Sequence, residues 1–156
     1  MEPETYREAI EIEQSELWKK IAQKEYDALI KNCTSERVPR TSRMKVLRNR
    51  WVFRVKYLAN GEIDGFKARL VVKNLMQVYG VDCLEVYSPV VRLEALRVLL
   101  TLAAVWDYEA HQLHVITTFL NDKIDVDVFM EQPEGFEVPG REDCVCHLLR
   151  SLYGLK

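Results

Sequence analysis

Near the start of the chain, Leu17, Trp18, Ile21, Ala22, Tyr26, Leu29 and Ile30 recur at helical spacing. Thr5-x-x-Glu8 ahead of them fits a capping box, which predicts one long helix or two over residues 5–31. Its apolar stripe docks on the rest of the chain, with Trp18 and Tyr26 as packing residues. Residues 32–49 hold Pro39, little periodicity and many cations, and read as a surface linker. Residues 51–58, WVFRVKYL, then alternate. Trp51, Phe53, Val55 and Tyr57 fall on one face, Val52, Arg54, Lys56 and Leu58 on the other. Asn60-Gly61 is a hairpin turn, and residues 63–73 form the return strand. Gly80-Val81-Asp82 marks another turn. Residues 91–106 are strongly apolar at helical spacing and predict a helix packed under a sheet. A mostly buried strand is expected over 111–120, with the turn Asn121-Asp122 behind it. Short strands are expected over 127–131 and 145–149, joined by a loop over 132–141. The expected class is α+β, with a two-stranded ribbon, an antiparallel sheet and a packed helix.

The chain has 156 residues, 48% hydrophobic and 29% charged, which is enough for one globular core. No run approaches the roughly 18 apolar residues of a membrane span, so no membrane partner is expected. The opening MEPETYRE is acidic and polar, unlike a secretory signal or transit peptide. An intracellular setting is expected, cytoplasmic or nuclear, with Cys33, Cys83, Cys144 and Cys146 as reduced thiols. Cys144-Val145-Cys146-His147 has the wrong spacing for a zinc knuckle and reads as a strand with both sulfurs on one face.

A net charge of −2 hides a division. Residues 36–75 carry 11 basic and 3 acidic side chains, a net of +8, while residues 76–156 carry 6 and 13, a net of −7. A concentrated positive segment attracts a phosphate backbone even when the whole chain is near neutral. In the return strand, alternation puts Lys67, Arg69 and Val71 on one face. Two cations on a stiff ribbon make a phosphate clamp; the plain alternative is a wet face with ordinary surface cations.

Several blocks then fit together: Arg50-Trp51-Val52-Phe53-Arg54-Val55-Lys56; Phe66-Lys67-Ala68-Arg69-Leu70-Val71-Val72-Lys73; Tyr87-Ser88-Pro89-Val90-Val91-Arg92; Phe119-Leu120-Asn121; Phe129-Met130-Glu131-Gln132-Pro133-Glu134-Gly135-Phe136; and Ser151-Leu152-Tyr153-Gly154-Leu155-Lys156. In this order they resemble the reverse transcriptase domain of copia-type LTR retrotransposon polyproteins, over nearly the whole chain. The resemblance implies part of a right-hand polymerase fold. Residues 1–49 would be an N-terminal helix and basic connector, 50–87 the fingers hairpin region and 88–156 a truncated palm. It further implies that Lys67 and Arg69 face an incoming dNTP. Phe119 would be the bulky gate under the sugar. Tyr153 and Gly154 would open the segment that holds the templating pair, and an RNA or DNA template–primer would be the partner.

The resemblance fails at the catalytic metals. Such polymerases hold two Mg²⁺ ions about 4 Å apart through carboxylates. The family's first one comes from a strand reading Gln-Met-Asp-Val-Lys-Thr-Ala-Phe-Leu-Asn-Gly. Here the strand reads Gln112-Leu113-His114-Val115-Ile116-Thr117-Thr118-Phe119-Leu120-Asn121-Asp122, with His114 in place of the Asp. Imidazole is a poor ligand for hard Mg²⁺ and cannot bridge two ions. His111 and His114, three apart on a strand, face opposite ways. No Asp-Asp pair occurs among the 156 residues, and the chain stops at Lys156, before the family's Tyr-x-Asp-Asp hairpin, the rest of the palm, the thumb and any ribonuclease H domain. The expectations are no intact catalytic residue, no tightly bound metal and negligible phosphoryl transfer. What remains is either a nucleic-acid or nucleotide-binding fragment using the basic 36–75 segment, or an inert retrotransposon relic. An uncovered palm edge and apolar surface would favour marginal stability, self-association or aggregation.

Overall fold

The computed structural model describes residues 2–73, 91–113 and 123–155. The N-terminal segment is two helices, α1 (Tyr6–Glu11) and α2 (Ser15–Lys31). Thr5 caps α1, its Oγ1 accepting from the Glu8 amide at 3.2 Å, while the Glu8 carboxylate takes the Glu4 amide at 2.8 Å. Ile12 is extended, so the two helices do not fuse. From α2, Trp18, Ala22 and Leu29 are buried. Trp18 is fully enclosed, edge-on to Phe66 at 4.9 Å and to Phe53 at 5.3 Å between ring centroids.

After α2 the chain forms β1 (Ser35–Pro39), β2 (Val46–Leu47), β3 (Asn49–Tyr57) and β4 (Ile63–Val72). The linker expected over 32–49 is therefore wrong in part. β1 pairs antiparallel with β6 (Cys144–Arg150), and β2 pairs parallel with β5 (Lys123–Met130). These strands escape a reading by periodicity because β1 lies at a sheet edge and needs only one apolar side. Its pairing uses backbone groups, and Pro39 falls at its end, where a missing N–H is tolerated.

The sheet order is β1-β6-β5-β2, with β3 and β4 as a separate two-stranded ribbon. The expected antiparallel sheet is corrected to a mixed one, since β2 and β5 run parallel. The ribbon follows the expected hairpin, its turn closed by the Leu58 amide donating to the Glu62 carbonyl at 2.8 Å. Its inner face carries Trp51, Phe53, Ala68, Leu70 and Val72, all buried, whereas Tyr57 reaches solvent past a register shift between Lys56 and Tyr57.

The loop over 132–141 is less superficial than expected. Phe136 stacks on Tyr26 at 4.4 Å and meets Trp51 at 5.3 Å, and the Trp51 indole N–H donates to the Glu134 carbonyl at 3.0 Å. Gly135 has φ +82°, and a Cβ there would strike the Tyr6 ring.

α3 (Leu93–Val105) forms where the apolar run predicts it, but it is not packed under the sheet. None of its residues is buried, and Leu99 and Val105 are 61% and 70% exposed. The inner sheet face already has a cover, because Leu29 of α2 and Leu152 join Met130 and Leu148 in the core. The strand expected over 111–120 is absent at 111–113; the remainder of it, with the turn at Asn121-Asp122 and that at Gly80-Val81-Asp82, lies outside the described residues. Among the described residues no helix is long and apolar enough to cross a membrane.

Candidate nucleotide and nucleic-acid interface

Alternation along β4 turns Ala68, Leu70 and Val72 inward and leaves Lys67, Arg69 and Val71 half-buried on the opposite face. Directly across the ribbon, Arg54 pairs with Lys67, Val52 with Arg69 and Arg50 with Val71. Residues opposite one another share a face, so Arg50 and Arg54 extend the cationic surface. Arg54 is partly neutralised by Glu2, its guanidinium 2.5 Å from one carboxylate oxygen, while the Val55 amide donates to the other at 2.8 Å. That amide bond, and then Arg54, hold the Glu2 carboxyl below the usual carboxylate range.

The end of the chain closes over this strand. The Val72 amide donates to the Tyr153 carbonyl at 2.8 Å, and the Arg69 guanidinium lies 5.2 Å from the centre of the Tyr153 ring. Gly154 has φ +89°, and a Cβ there would run into the Val72 carbonyl oxygen and the Val71 side chain. Arg69 and Tyr153, 84 positions apart, thus meet at one edge of the ribbon, with Lys67 one step along it and Gly154 beneath. His114 and Phe119 lie outside the described residues.

One neighbour of this group escapes the sequence reading. Burial pushes the Glu25 carboxyl on α2 above the usual range, against the pull of Lys67 and Arg69. Among the described residues its buried Oε1 has no hydrogen-bond partner, and neither has the buried Nε of Arg69. Burial, then Arg69 and Lys56, push the Lys67 ammonium below the usual lysine range, with Glu25 opposing. A signal for Glu25 was present. Trp18, Ala22, Glu25 and Leu29 follow the +4, +3, +4 spacing of a single buried stripe, so a carboxylate stands on the inward face of α2.

A second polar group lies across the sheet, on strands β1, β6 and β5. His147 sits between Glu36 and Asp127, Nδ1 3.1 Å from one carboxylate and Nε2 3.0 Å from the other, and stacks on Phe129. Cys146 points to the opposite, buried face, so it and His147 cannot ligate one ion. Among the described residues no group of three or more His, Cys, Asp or Glu converges as a metal site.

Residues 32–156 match the family model described as reverse transcriptase (RNA-dependent DNA polymerase). The chain belongs to this reverse transcriptase family. It is 41% identical over 155 residues to the retrovirus-related Pol polyprotein from transposon TNT 1-94 of Nicotiana tabacum, covering 99% of this chain and 12% of that protein. It is 37% identical over 151 residues to the Pol polyprotein from transposon RE1 of Arabidopsis thaliana, covering 96% of this chain and 10% of that one. The polyprotein from transposon RE2 of the same plant is 34% identical over 151 residues. This chain thus spans 10–12% of the length of these relatives. No solved structure matches it.

Reverse transcriptases generally use Mg²⁺, a hard ion that selects oxygen ligands. The position that resembles the family's first palm carboxylate carries His114, and Asp127, on the described strand β5, is engaged by His147.

Proposed function

We propose that this chain is the fingers and first part of the palm of a copia-type reverse transcriptase, with the ribbon as fingers and residues 88–156 as incomplete palm. In this reading it contacts a dNTP and an RNA or DNA template–primer through its basic ribbon but does not catalyse nucleotide addition. The observation that carries the binding half is Arg69 against the Tyr153 ring, with Lys67 on the same face of β4. Two cations beside an aromatic face suit a triphosphate and a stacked base. Phe119 would lie under the sugar, with Gly154 letting Tyr153 close on the strand. The inactive half rests on His114. Phosphoryl transfer needs charge neutralised at the attacking and leaving oxygens, and an imidazole there supplies no bridging carboxylate.

Fluorescence anisotropy with a labelled primer–template tests the first half. Binding should weaken with salt, and Lys67→Ala with Arg69→Ala should lower affinity and flatten the log–log salt slope by about 1–2, as expected for two lost phosphate contacts. Binding no stronger than that of a charge-matched control would make the chain an inert relic. Primer extension with Mg²⁺ tests the second half. The expected result is no templated product, and EDTA-sensitive extension by these 156 residues would overturn it.

A further inference from the structure

Behind β4, on the side away from the cationic face, lies a cavity of about 300 Å³ between α2, the turn after it, β1 and β6. Leu29, Leu70, Met130 and Leu148 line its apolar walls. That volume is at the lower end of small-molecule sites, roughly 300 Å³ and up. It is about twice the ~150 Å³ cavity that holds a benzene ring.

Polar side chains on its lining come from Tyr26, Thr34, Ser35, Glu36, Arg37, Arg141 and Cys146. Thr34 is 2% exposed, and its backbone is committed: its amide donates to the Leu29 carbonyl at 3.1 Å, and its carbonyl accepts from Leu149 at 2.8 Å. Its hydroxyl has no hydrogen-bond partner among the described residues, and Thr34 borders the cavity. A buried hydroxyl left so is costly unless something enters to pair with it. Cys146, also buried, faces Arg37 across the β1–β6 pair. Two exposed arginines border the cavity. Arg37 is held there by donating to the Tyr26 hydroxyl, and Arg141 joins it. Glu36 borders the same cavity, but its carboxylate is taken by His147 on the far side of the sheet.

We propose that this cavity is a binding site for a small amphipathic carboxylate. Its one- or two-ring apolar body would lie against Leu29, Leu70 and Leu148. A polar group on it would pair with the Thr34 hydroxyl, and its anionic end would meet Arg37 and Arg141. The site is separate from the ribbon face and does not depend on polymerase-like binding there.

The probe is 6-hydroxy-2-naphthoate, titrated against the full chain by saturation-transfer NMR, with neutral 6-hydroxymethyl-2-naphthol as comparison. Saturable one-to-one binding is expected, with the anion favoured about tenfold through charge-assisted bonds. Arg37→Gln with Arg141→Gln should abolish that preference and leave the alcohol unaffected. Thr34→Val should raise Tm and weaken both probes; a merely structural hydroxyl would raise Tm with affinity unchanged, against the proposal. A readout needing no variant is alkylation by iodoacetamide: bound naphthoate should slow modification of Cys146 and leave exposed Cys33 unaffected. Failure to bind, or binding that leaves Cys146 unprotected, as at the exposed apolar face of α3, would overturn the proposal.

Discussion

At the scale of single residues, two positions beside the ribbon offer direct tests. Gly154 adopts a conformation in which any side chain would meet the Val72 carbonyl. Gly154→Ala should cost about 1–3 kcal/mol in denaturant unfolding and loosen the Tyr153–Arg69 contact, seen as a change in tyrosine fluorescence. Glu25 is the other. Its carboxyl titrates above 4.5 in the folded state because burial disfavours the charge. The folded chain therefore holds this proton more tightly than the unfolded one, so Glu25's contribution is most favourable below pH 4.5 and declines as pH rises through the folded value. Glu25→Gln should accordingly stabilise the protein at pH 7, with the advantage vanishing below about pH 4.5. The same change removes a negative charge that acts on Lys67 and Arg69, so triphosphate binding should tighten several-fold. Calorimetric melting across pH and a nucleotide titration check the two effects.

At the scale of elements, period and position were legible in unequal measure. The hairpin was visible because alternation over Trp51, Phe53 and Val55, the Asn60-Gly61 turn and alternation over Ala68, Leu70 and Val72 agree with one another. That agreement also places Lys67 and Arg69 on one face before any contact is known. β1 was not visible, since Ser-Glu-Arg-Val-Pro has no period to read, and its strand conformation comes from pairing with β6. The helix α3 was visible as a helix and misjudged as a packed one. Its Leu and Val residues lie on several faces, so its sequence names a helix without naming a partner.

At the scale of the whole molecule, the uncovered α3 has a consequence in solution. Leu93, Leu96, Val98, Leu99, Leu100 and Val105 of this short helix are all exposed, on several of its faces. Sedimentation velocity should show concentration-dependent self-association of the 156-residue chain. Leu99→Glu should reduce it without lowering Tm, because that side chain supports no core. An unchanged association constant would place the contact elsewhere, such as at the short β2 edge.

The helical stripe, the ribbon and its cationic face, the copia-like blocks and the imidazole at position 114 could all be read from the order of residues, because each is a local pattern with a fixed period or spacing. Long-range partnership could not. Glu36 and His147 are 111 positions apart, Arg69 and Tyr153 are 84 apart, and Glu25 reaches the ribbon from α2. Such meetings are set by backbone hydrogen bonds and by which apolar faces close on one another. Those bonds are alike for almost every residue type, so side-chain identity alone does not encode them.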